Sequence, residues 1–170
     1  MAFAVVRAEV NAARALGRLL WTFMLKLAEL VETVFFVLRK KQNQVTKLHV
    51  YHHVSTFMFG WLTCKYIGGG MATFPVLINS FVHILMYTYY LLASFGPGIQ
   101  RRLRPWKPKL TILQMVQFFV LIAHSMQSLA PSCNVPKQLL LLWVPNIVTI
   151  FLMFYDFYKE SYLRKRRKVA

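Results

Sequence analysis

The chain has 170 residues, 57% of them hydrophobic, with a mean hydropathy of +0.45 and 21 basic side chains against 5 acidic ones. That is the composition of a small polytopic membrane protein. The net charge of +16 does not signal a nucleic-acid partner, because Lys and Arg fall in short clusters between long apolar runs and no soluble basic domain presents a groove.

Residues Met1 to Gly17 are Ala-rich with Arg7 and Arg14, and they lack the compact apolar core and small-residue cleavage site of a signal peptide. They are read as an atypical amino-terminal segment, residues 1–17, ahead of a membrane domain over 18–162 and a basic tail over 163–170. Five windows are long enough to cross a hydrocarbon core, which takes about 20 helical residues: Leu19 to Leu38, Leu48 to Ile67, Ala72 to Leu92, Leu110 to Ala130 and Gln138 to Tyr158. The connections between them hold most of the Gly and Pro, as chain breakers should. The expected fold is an all-α, polytopic membrane helix bundle of about five spans, folded as one domain.

Fifteen of the 21 basic residues fall on one side if five helices alternate. They lie between the first and second helices, between the third and fourth, and after the fifth. By the positive-inside rule that side is cytosolic, and so is the carboxyl terminus. Cys64 and Cys133 both fall toward the opposite side, where an oxidising compartment would permit a disulfide, and two unpaired thiols are equally compatible with the spacing.

Four of the five helices carry polar groups in patterned positions. In the first, Lys26, Glu29 and Glu32-Thr33 recur every three to four residues and so share one face, while Leu27, Val31, Val34 and Phe35 populate others. An ionised group at mid-membrane costs about 2.5 to 3.5 kcal/mol, so these should face the bundle interior and partly neutralise one another. A purely structural Lys26–Glu29 pair is the plain alternative. In the second helix His49, His52 and His53 fall on one stripe, a pattern suited to metal binding or to acid, base or nucleophilic catalysis.

The third helix carries Asn79, His83, Met86-Tyr87 and Tyr90 on a continuous stripe; the outermost tyrosines are also what an interfacial belt would show. In the fourth, Thr111, Gln114, Gln117, His124 and Ser128 favour one face, where interhelical hydrogen bonding competes with a functional role. The fifth supplies mainly bulk through Leu139 to Leu142, Ile147, Ile150 and Phe151. Such a bundle encloses a cavity able to hold a polar headgroup at its cytosolic mouth and an apolar chain further in. Phe57, Phe59, Phe81 and Phe118 are candidate lining residues.

Two enzymatic readings suit three imidazoles on one stripe. A di-iron membrane oxygenase or desaturase uses His-x-x-His-His, but it needs more such boxes than five histidines supply. A metal-free reading, in which a neutral imidazole attacks an acyl thioester, fits better.

These residues resemble the fatty acid elongases of the endoplasmic reticulum, the condensing enzymes of very-long-chain fatty acid synthesis, over roughly Leu19 to Tyr162. Lys26-x-x-Glu29-x-x-Glu32-Thr33 with the following Val34 to Lys41 is similar to the family's first signature, and His49-Val-Tyr-His52-His53 to its histidine box. Asn79-x-x-x-His83-x-x-Met86-Tyr87 is similar to its third, and Thr111-x-x-Gln114-x-x-Gln117-Phe118 to its fourth. The resemblance implies condensation of a long-chain acyl-CoA with malonyl-CoA to a 3-oxoacyl-CoA, with release of CO2 and CoA, without a redox cofactor or bound metal. It implies His52 and His83 as acyl acceptor and acid/base partner in either order, His49 and His53 as the rest of the box, and Lys26, Glu29, Glu32, Asn79, Tyr87, Gln114 and Gln117 in support. Arg39, Lys40, Lys41, Arg101 and Arg102 are candidates for the CoA phosphates, with the topology signal alone as their alternative. An endoplasmic reticulum location, a lipid environment and association with other elongases are further expectations.

Glu32 stands where the family has Asp, one methylene shorter. The family has seven helices, six of them around a tunnel, and these five match its last five. The expectation is therefore a partial enclosure with one wall missing, and an inactive, association-only form is the non-enzymatic alternative.

Overall fold

The computed structural model describes residues 2–40, 45–67, 70–130, 133 and 135–164, with the side chains of 2–10, 12, 32, 36 and 70 left aside. Six α-helices make up these segments: α1 (Ala2–Leu38), α2 (Lys47–Tyr66), α3 (Thr73–Ser94), α4 (Pro97–Leu103), α5 (Trp106–Met126) and α6 (Lys137–Tyr158). Short 3-10 turns at Gly70–Ala72 and Gln127–Leu129 lead into α3 and follow α5, and a π-helical turn, Lys159–Leu163, extends α6.

The five expected spans are α1, α2, α3, α5 and α6. Two boundaries differ from the sequence reading. Helix α1 continues back through the Ala-rich segment to Ala2, as alanine's helix propensity favours. The connection Ala93 to Lys109 is not all loop, because Pro97 at the first turn of α4 restarts a helix after Gly96, whose φ of 121° is open to glycine and strained for other residues.

Among the described residues three helices are apolar and long enough to cross a membrane by themselves: Thr73–Ser94, Trp106–Leu129 and Lys137–Leu163. Helices α1 and α2 have the length, at 37 and 20 residues, but carry the charged and imidazole groups. On α1 those groups are turned inward: Lys26 and Thr33 are buried, whereas Leu27, Val31, Val34 and Phe35 are exposed as a lipid-facing surface would be.

Packing runs in a closed circuit among the described residues, with α1 against α2, α2 against α6, α6 against α5, α5 against α3, and α3 back against α1. Aromatic pairs fasten individual seams. Phe23 stacks on Phe57 at 4.9 Å between α1 and α2, and Phe59 meets Trp143 edge-on at 5.0 Å between α2 and α6.

Phe118, Leu121, Ile147 and Ile150 form the buried core between α5 and α6. Contacts at both ends show α3, α5 and α6 alternating in direction: Thr111 Oγ1 lies 3.4 Å from Tyr162 Oη at one end, and His124 Nε2 lies 3.2 Å from the Met71 carbonyl at the other. Pro145 sits inside α6 without ending it. Cys64 and Cys133 are both free.

Candidate active site

The site is built where α1, α2 and α3 converge. Thr46 caps the start of α2 by accepting the His49 amide at 3.1 Å on its hydroxyl, which fixes the register of the histidines that follow. On α1, Lys26 and Glu29 are three residues apart, and the Lys26 ammonium donates to both carboxylate oxygens of Glu29 at 2.9 Å. Their side chains are 11% and 13% exposed, so neither charge is left to water.

The same carboxylate gathers two imidazoles from neighbouring helices. His53 Nδ1 on α2 lies 3.4 Å from Glu29 Oε2, and His83 Nδ1 on α3 lies 3.6 Å from Oε1. Both are ion-pair distances when the ring is protonated; the His53 contact is not aligned as a hydrogen bond, and its buried Nδ1 has no other partner among the described residues. One turn further along α1, the Thr33 hydroxyl lies 3.1 Å from His49 Nε2.

The rings form a chain. His49 and His53 have centroids 4.3 Å apart, His52 and His53 5.3 Å, and His52 stacks toward His83 at 6.5 Å, with Tyr87 5.9 Å beyond. Three helices thus bring four of the five histidines around one carboxylate. Among the described residues no group of three or more His, Cys, Asp or Glu is arranged to hold a metal ion.

A cavity of about 170 Å³ runs from this cluster toward the opposite end of the bundle, and all five long helices line it. Its walls are mainly apolar, with Leu121, Ile147, Ile150, Phe59 and Phe118 among them. Each helix also contributes a polar side chain: Lys26, His52, Asn79, Gln117 and Asn146. Of the box histidines, His52 is the one at the wall of this cavity; His49, His53 and His83 do not line it.

Other sequence candidates fall away from the cavity. Gln114 donates its amide to the Met86 sulfur at 3.4 Å, joining α5 to α3. Phe81 is 56% exposed and faces outward, and Phe57 is taken up by Phe23. Leu141 and Leu142 on α6 are exposed rather than core-filling, because the helix turns its Ile147 and Ile150 side inward. Arg39 and Lys40 just beyond α1, and Arg101 and Arg102 on α4, are exposed at the end of the bundle nearer the histidines. Lys41, the Glu32 side chain and the tail over 165–170 lie outside the described residues.

Sequence reasoning passed over Tyr51 and Asn146. The Tyr51 hydroxyl donates to Asn146 Oδ1 at 3.1 Å, and Asn146 is buried on the cavity wall. An Asn within the run Leu139 to Phe154, whose one other polar side chain besides the Trp143 indole is Thr149, was the available signal. Ser125 was likewise missed; it is buried and accepts the Trp143 indole N–H at 3.1 Å.

The GNS1/SUR4 family, abbreviated ELO, has a model that matches residues 3–170. The chain belongs to this family. Among its relatives, this ELO chain is 45% identical over 154 residues to very long chain fatty acid elongase 4 of Mus musculus, covering 91% of the chain and 49% of the mouse protein. It is 45% identical over 152 residues to a very long chain fatty acid elongase of Aedes aegypti, covering 88% and 42%. To very long chain fatty acid elongase 7 of Drosophila melanogaster it is 39% identical over 149 residues, covering 87% and 45%. The ELO chain therefore spans about half the length of the curated relatives it matches. No solved structure matches it.

Proposed function

We propose that this ELO chain performs the condensing step of fatty acid elongation, joining a long-chain acyl-CoA to malonyl-CoA to give a 3-oxoacyl-CoA two carbons longer, with release of CO2 and CoA. The observation that carries the reading is the position of His52, at the wall of an apolar cavity and ringed by the Glu29 cluster. An apolar channel ending at an imidazole suits a substrate with an apolar chain and a reactive carbonyl at its head.

His52 acts as the nucleophile. A ring nitrogen attacks the thioester carbonyl, the C–N bond forms, the C–S bond breaks, and CoA departs as the thiol with the proton the ring gives up. Malonyl-CoA then loses CO2, and the electron pair left on its α-carbon attacks the acyl-imidazole; the C–C bond forms and the ring regains its pair and, from solvent, its proton.

His83, 6.5 Å from His52 and held on Glu29 through Nδ1, is the acid/base partner. Lys26 pairs with Glu29 and holds it in place, so that the carboxylate orients His53 and His83, the third-group role of a catalytic triad. The overall exchange moves no electrons to or from a cofactor, so none is invoked.

Arg39, Lys40, Arg101 and Arg102 supply counter-charge for the CoA phosphates at the mouth. The protein resides in the endoplasmic reticulum membrane with that mouth and the carboxyl terminus in the cytosol, as the distribution of Lys and Arg favours. The test is incorporation of labelled malonyl-CoA into long-chain acyl-CoA by membranes expressing residues 1–170. Incorporation abolished by His52→Ala is the expected result. No incorporation by folded protein, or full turnover in the His52→Ala variant, overturns the proposal.

A further inference from the structure

The polar group that α6 brings to the cavity has no part in the scheme so far. Asn146 is 8% exposed and lines the cavity. Its Oδ1 is taken by the Tyr51 hydroxyl at 3.1 Å, while its Nδ2 is buried and makes no hydrogen bond among the described residues. Neighbouring donors are already spent: the Trp143 indole N–H goes to Ser125 Oγ, whose own hydroxyl goes to the Leu121 carbonyl at 2.7 Å.

Tyr51 immediately precedes His52 on α2, so the residue that holds the Asn146 amide is the chain neighbour of the nucleophile. A buried donor beside an apolar channel calls for an acceptor carried in by the ligand. A fatty acyl thioester brings one acceptor that the reaction cannot do without, its carbonyl oxygen, which becomes an oxyanion on attack.

We infer that Asn146 is an oxyanion donor, its Nδ2–H group stabilising the carbonyl oxygen of the acyl thioester attacked by His52. This rests on the condensation reading above. As the C–N bond forms, the carbonyl π pair moves onto oxygen and is held by Nδ2–H; the pair returns as the C–S bond breaks and CoA leaves with the ring proton. The amide torsion of Asn is broad, and a turn about Cβ–Cγ with the Tyr51 hydroxyl following presents Nδ2 to the lumen. The setting suits the role because the donor lies in a dry wall, where it interacts most strongly with developing charge once turned to the lumen.

The test is the burst of CoA released when protein comprising residues 1–170 is mixed with palmitoyl-CoA in the absence of malonyl-CoA, which isolates acyl transfer to the imidazole. Asn146→Leu, similar in volume but without the donor, should slow the burst about 100-fold, as expected for loss of one oxyanion-hole donor. The palmitoyl-CoA concentration at half-maximal rate should change little. Tyr51→Phe, which loses one oxygen and leaves Asn146 unanchored, should slow the burst about tenfold, a smaller effect because the donor itself remains.

If the unsubstituted protein gives no burst, the condensation reading fails and this inference with it. If it gives a burst that both variants reproduce at the same rate, the inference is overturned while that reading stands. Should Asn146→Leu fail to fold, Tyr51→Phe decides alone, and an unaltered burst in that variant overturns the assignment.

Discussion

Replacing Lys26 with Met tests the electrostatic logic of the whole site. The ammonium sits 2.9 Å from both oxygens of Glu29, with the two side chains 11% and 13% exposed. At that separation and an effective dielectric of about 20, the attraction is about 5 to 6 kcal/mol. Much of it offsets the desolvation of the two ions, so the pair adds little net stability over an apolar pair, whereas removing one partner strands the other. Lys26→Met should therefore destabilise the protein by about 3 to 5 kcal/mol.

For a chain of this size that lowers the melting midpoint by about 10 °C. The double variant Lys26→Met with Glu29→Leu should recover most of the loss while remaining inactive, since His53 and His83 no longer have their carboxylate. The assay is thermal unfolding of detergent-solubilised protein for both variants, beside malonyl-CoA incorporation. A single variant within about 1 kcal/mol of the parent, or a double variant as unstable as the single one, would refute the claim that Glu29 depends on Lys26.

Three further outcomes are expected. Ile147→Ala, at a residue 2% exposed between α5 and α6, should cost about 2 to 5 kcal/mol through the void it leaves, measured as a fall in melting midpoint. Thr33→Val removes the hydroxyl 3.1 Å from His49 Nε2 and should cost about 1 kcal/mol; an unshifted His49 resonance in nitrogen-15 NMR would count against that contact. Arg101→Gln with Arg102→Gln should raise the KM for CoA substrates several-fold without changing folding, and a KM already insensitive to salt in the parent would rule out a phosphate role.

Much of the architecture was legible because the rules that shape it are local. An amphipathic stripe survives at a spacing of three to four residues whatever the partner, so the inward face of α1 could be read from Lys26, Glu29 and Thr33 before any neighbour was known. The histidine pattern on α2 was equally readable. Which histidine meets the cavity was not, because that depends on the angle at which α2 meets α6. Tyr51 and Asn146 lie 95 positions apart in the chain, and each by itself reads as an ordinary membrane residue; only the packing of α2 on α6 makes them a pair. The closure of the circuit by α3 and α1 was also hidden, since the polar stripes of Glu29 and His83 mark inward faces but do not say which helix each one meets.

Pro145 carries a mechanical consequence. Proline has no amide hydrogen, so the Leu141 carbonyl loses the donor that would hold it one turn away, and the pyrrolidine ring crowds the same turn. The first half of α6 is consequently coupled to the second more weakly than any other pair of adjacent turns in that helix. The weak point falls one residue before Asn146, at the level of the cavity and on the seam with α2. Bending of α6 is easiest at this turn, and the motion is delivered to the residue that Tyr51 holds.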